Sequence, residues 1–146
     1  MKKRLNYAMP NILLSEIDYQ RLKDLAIEFE SVSIGKRRQK CISILKKKLN
    51  KARILKLGDI DLIDVITMNS SVRFKNLSTK EEKEYLIVHL KLKCKSLGRI
   101  SILSEMGVAL LGHKKGEVAR IKRPNGEHYS VQILNVQSTS LEWIKR

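Results

Sequence analysis

Apolar residues change their spacing near Gly58, and that change sets the fold class. Before it, Ile17, Leu22, Leu25, Ala26 and Phe29 recur at helical intervals behind Ser15 and Asp18, a pair placed to cap a helix start. This predicts a helix over 15–30, reached from Pro10 through the apolar segment Ile12–Leu14. Ser31-Val-Ser33 breaks the pattern. Ile34, Cys41, Ile42, Leu45, Leu49 and Ala52 then form a second stripe, which predicts a second helix running to a stop at Gly58. With so short a connection the two helices are expected to pack antiparallel, with a tip near 30–36.

After Gly58 the helical period gives way to β-prone segments at 65–68, 72–77, 85–90, 100–103, 118–122 and 129–136. Val118-Ala-Arg-Ile-Lys122 and Val131-Gln-Ile-Leu-Asn-Val136 alternate apolar and polar residues, as strands with one buried face do. One short helix is expected between the fourth and fifth strands. Ser104 can cap it, Met106, Ala109, Leu110 and Leu111 form its apolar side, and Gly112 can end it. Arg123-Pro-Asn-Gly-Glu-His128 has the turn chemistry of a β-hairpin. The expected fold is α+β: a helical hairpin over 1–58, then a curved, mostly antiparallel sheet with one short helix over 59–146.

Composition excludes several function classes. The chain of 146 residues is 42% apolar, enough for a modest core and too much for a disordered tail. Aromatics make up 5%, so the core must be Ile, Leu and Val. No apolar run approaches the about 18 residues that span a bilayer, and the Lys-Lys-Arg start lacks the apolar stretch of a signal peptide, so a cytoplasmic protein without a membrane partner is expected. Cys41 and Cys94 form no CxxC pair and are expected to be free small apolar residues. His89, His113 and His128 lack metal-ligand spacing, and no P-loop, Rossmann glycine pattern, HExxH or GxSxG is present, so neither a cofactor nor an enzyme is expected.

Charge is distributed unevenly. The chain carries +15, and its first 58 residues hold 15 basic against 5 acidic side chains. Between 36 and 56 stand ten Lys or Arg and no acid. Lys40, Lys47 and Lys51 fall along one side of the second helix, where cations without Glu at i±4 repel one another. Such a face suits an anionic partner, so DNA or RNA is a candidate.

Val65-Ile-Thr-Met-Asn-Ser-Ser-Val-Arg-Phe-Lys-Asn-Leu77 resembles the start of the C-terminal domain of the Rnk proteins, regulators of nucleoside diphosphate kinase. Ile100 to Gly112, Gly116 to Lys122 and Pro124 to Val136 resemble the same domain in both Rnk and the GreA/GreB transcript-cleavage factors. The resemblance implies an FKBP-like domain behind a coiled-coil hairpin, shorter in Rnk; a monomer is expected, although the apolar stripe of the hairpin could also pair between chains. The resemblance also implies a partner. In that family the globular domain grips the rim of the secondary channel of bacterial RNA polymerase, and the hairpin points into the channel. The family's docking contacts match Ser104, Glu105 and Met106, with Glu105 where relatives tend to carry proline.

The resemblance also defines what this chain lacks. Gre-type cleavage uses carboxylates at the hairpin tip to help hold a second Mg²⁺, a cation that takes oxygen ligands. Here the tip region offers Glu28 and Glu30, expected to be solvated, followed by Ser31-Val-Ser-Ile-Gly-Lys36-Arg37-Arg38. A helix of about 16 residues reaches only about 24 Å. The expected function is therefore a polymerase-binding transcription regulator without cleavage stimulation, its hairpin presenting Lys36, Arg37, Arg38, Lys40, Lys47 and Lys51. The alternative is a nucleic-acid-binding protein using the second helix. Prolyl isomerase activity would need an aromatic pocket, for which Phe74, Trp143 and the tyrosines are a poor supply.

Overall fold

The computed structural model describes residues 12–138; Pro10, the Lys-Lys-Arg start and Trp143 lie outside them. The order is β1 (Leu13–Ser15), α1 (Glu16–Glu30), α2 (Lys36–Asn50), β2 (Arg53–Leu55), β3 (Ser70–Asn76), β4 (Glu82–Val88), β5 (Arg99–Ser101), α3 (Glu105–Leu110), β6 (Val118–Lys122) and β7 (His128–Ser138). The α+β class is as expected. No helix among the described residues is long and apolar enough to cross a membrane.

Ser15 caps α1 by accepting from the Asp18 amide at 3.1 Å, and Leu22, Leu25, Ala26 and Phe29 are its buried stripe. The second helix is shorter than its apolar pattern suggests. It ends at Asn50 with Lys51 as its C-cap, and Arg53–Leu55 forms a strand instead of continuing to Gly58. The reason lies across the chain: Ile12–Leu14 is no mere lead-in, because β1 pairs in parallel with β2, Leu14 opposite Ile54. Parallel strands need a long crossover, and the helix pair supplies it.

The main sheet has the order β5-β4-β3-β7-β6, antiparallel except for the β4–β5 pair. The strand expected at 65–68 is absent. Val65 makes only an isolated bridge to Lys114, and Asp64 and Asn69 on either side have φ of 67° and 75°, which extended backbone cannot use. The 123–128 turn joins β6 to β7 as expected, with Lys122 opposite His128.

Buried residues from the helix pair and the sheet form one continuous cluster, from Leu22 and Leu45 to Ile121 and Ile133. Ile12 seals the junction by lying over Gly112, where a Cβ would stand 2.2 Å from its Cγ2. Gly112 also has φ +88°, so the α3 stop requires glycine twice over. Leu110 and Leu111 are fully buried, as expected.

Candidate functional site

The site is built where α2 lies along α3. Ser104 caps α3: its hydroxyl accepts from the Gly107 amide at 2.9 Å and donates to the Ser101 carbonyl at 2.6 Å. Met106 packs, partly buried, against the core. Of the three residues matched to docking, Glu105 is the one whose side chain pairs with a charge on α2. Its carboxylate accepts from Arg37 Nη2 at 2.7 Å and Nε at 3.2 Å. Arg37 remains 71% exposed in this pair. Exposed pairs add little stability, so Arg37→Ala should change the unfolding free energy by less than about 1 kcal/mol in urea titration.

The basic run between 36 and 56 does not form one face. Lys36 opens α2 and is exposed, Arg38 is half-buried, and Lys47 and the C-cap Lys51 are exposed. Lys40 instead joins Arg37, Ile44 and Lys48 in lining a groove of about 810 Å³ whose other walls are α3 and β6. The acids missing from the run come from other elements: Glu105 to Arg37, and Glu30 to Lys46.

Lys48 was hidden inside the charge run. It is only 6% exposed, and its Nζ donates to the carbonyls of Val108 at 2.6 Å, Leu111 at 2.8 Å and Ala109 at 3.2 Å. These are carbonyls at the end of α3, which have no partner within the helix and favour a cation. Burial pushes its ammonium down to about 8. Its spacing from Cys41 and Leu45 puts it on the buried stripe, and that was the available signal. Nearby, burial pushes the Cys41 thiol up to about 11, which removes it as a nucleophile.

The end of α1 lies against the segment that follows β4. Glu28, expected to be solvated, pairs with Lys91 at 2.8 Å and His89 at 3.2 Å, and these two hold its carboxyl below the usual range, Lys91 first. The Phe29 and His89 rings lie 5.7 Å apart. Both carboxylates near the α1–α2 connection are exposed, as expected, and each is ion-paired, Glu30 with Lys46.

The GreA/GreB C-terminal family of transcription elongation factors matches residues 61–138, more than half of the chain. The chain belongs to the GreA/GreB family. Similarity to the Leuconostoc citreum transcription elongation factor GreA is 35% identity over 96 residues, 66% of this chain and 59% of that relative. Thus the chain spans about three-fifths of the length of that GreA. The regulator of nucleoside diphosphate kinase of Escherichia coli K12 is 26% identical over 131 residues, 88% of this chain and 90% of the relative. A GreA/GreB factor from Nitrosomonas europaea superposes with a TM-score of 0.68 at 31% identity, covering 86% of this chain and 98% of that one. The GreA/GreB arrangement of N-terminal helices before a curled, mostly antiparallel sheet is thereby shared.

Proposed function

We propose that this GreA/GreB-family chain is a cytoplasmic transcription regulator that docks at the secondary-channel rim of bacterial RNA polymerase without stimulating transcript cleavage. The observation carrying this reading is the state of the carboxylates: Glu28 is held by Lys91 and His89, and Glu30 by Lys46. The connection that follows, Ser31–Gly35, contains no acid and leads into Lys36-Arg37-Arg38. Holding a second Mg²⁺ needs unengaged carboxylate oxygens that can be presented to the metal. At that end of the helix pair both oxygens of Glu28 and one of Glu30 are paired with cationic or imidazole groups.

On this reading docking falls at Ser104–Met106, and the hydrogen bond from Arg37 that orients Glu105, in the family's proline position, supports it. In backtracked polymerase complexes the protein is expected to leave the 3′ RNA intact and to slow cleavage by an added Gre-type factor. Shortening of the RNA by this protein alone would refute the reading. Deleting residues 1–58 is a poor test of where polymerase is gripped, because the deletion removes Ile12, Leu45 and Lys48 from the common core. Charge substitutions at Glu105 serve better. The nucleic-acid alternative is less well supported, since Lys40 lies in the groove while Lys47 and Lys51 lie outside it.

A further inference from the structure

Five cations line the groove between α2 and β6 with no acidic partner within ion-pair distance among the described residues: Lys40, Lys114, Arg120, Lys122 and Arg123. Of the two acids of the lining, Glu105 is paired with Arg37, and Glu117 is hydrogen-bonded to His113, an imidazole whose pKa burial lowers. Strand periodicity puts Arg120 and Lys122 on one face, because Ala119 and Ile121 point into the core. Lys40 comes from the opposite wall. Between them lies a small apolar floor of Ile44 and the partly buried Ala109, backed by the buried Val108 and Leu111.

Charge on an edge strand such as β6 guards against pairing with other chains. That role asks nothing of the facing helix. Here like charges from α2 and β6 border one concavity and outnumber its two carboxylates, Glu105 and Glu117, a balance that favours an anionic ligand. A nucleic-acid backbone would call for an extended basic track with aromatic faces for stacking. Among the described residues no Phe, Tyr or Trp lines this groove, and Lys47 and Lys51, which would extend a track along α2, are outside it. The volume of about 810 Å³ instead suits a compact ligand.

We infer that this groove binds a nucleoside polyphosphate, its phosphates between Lys40 and the Arg120/Lys122 pair and its base on the apolar floor. The groove shares Glu105 and its partner Arg37 with the proposed polymerase-docking site, but its nucleotide binding can be tested on the isolated full-length chain. Calorimetric titration with ATP, inorganic tripolyphosphate and a short single-stranded RNA, at about 0.1 M salt, should give one ATP site per chain, with tripolyphosphate weaker but competing. Lys40→Ala and the double variant Arg120→Ala/Lys122→Ala should each weaken ATP about tenfold, the worth of a charge-assisted hydrogen bond. Lys47→Ala should change it less than about twofold.

Several results would overturn the assignment: no binding of ATP, equal affinity for ATP and tripolyphosphate, binding of RNA alone, or a Lys47→Ala loss as large as that of Lys40→Ala. The wild-type protein gives a check that depends on no variant. ATP-induced amide shifts in nuclear magnetic resonance should cluster at Lys114 and along β6, and a cluster elsewhere would also sink the proposal.

Discussion

Replacing Lys48 with alanine is expected to lower the free energy of unfolding by about 3 kcal/mol, or roughly 6–12 °C in thermal midpoint. Three carbonyls at the end of α3 lose their charged donor, and the lysine stem leaves a gap between α2 and α3. Lys48→Met, which keeps most of the stem volume, should cost less, about 2 kcal/mol. Urea unfolding followed by circular dichroism measures both. An alanine variant within about 0.5 kcal/mol of wild type would mean that the carbonyls find other partners.

The same residue sets an alkaline pH dependence. Burial depresses its pKa from 10.5 to about 8, so between those values the unfolded chain binds more protons than the folded one. Stability from this group therefore rises with pH. The burial penalty is fully present below about pH 8 and gone above about 10.5. The advantage of wild type over Lys48→Met should accordingly widen between about pH 7 and 10, by at most on the order of 3 kcal/mol. The neutral amine still has two hydrogens to donate to the carbonyls. A gap that narrows instead would show that the three hydrogen bonds, and not burial, control the proton.

Gly107→Ala is expected to destabilise by about 3 kcal/mol or more, against the helix propensity that favours alanine by about 1 kcal/mol. A Cβ at this position would stand 2.3 Å from the Ser101 carbonyl oxygen and 2.9 Å from Ile102 Cα. Both are backbone atoms, so α3 itself must move away from β5. That movement would break the bond from the Ser104 hydroxyl to Ser101 and shift the segment proposed to dock on polymerase. A thermal melt reads the effect, and a variant as stable as wild type would contradict the contact.

Much of the fold was legible because local periodicity and capping report burial directly. Ser15, the stripe from Leu22 to Phe29, Ser104 and the Asn125-Gly126 turn fall where the pattern places them. The misses share a cause. At Arg53–Leu55 an extended strand replaces helix because Leu13–Ser15, some forty residues earlier, offers a parallel partner. At 65–68 a strand fails because positive φ at Asp64 and Asn69 bends the chain on both sides. Neither effect leaves a periodic trace.

The sequence by itself determined the α+β class, the apolar stripes, the excess of cations and the absence of an acidic motif after Glu30. These follow from residue type and spacing alone. Only the tertiary structure decided which charges are free. It buried Lys48 against the end of α3, tied Arg37 to Glu105 and Glu28 to Lys91 and His89, and brought Lys40, Arg120 and Lys122 to the lining of one groove. A charge acts through neighbours within a few ångströms, and those neighbours come from segments far away in the chain.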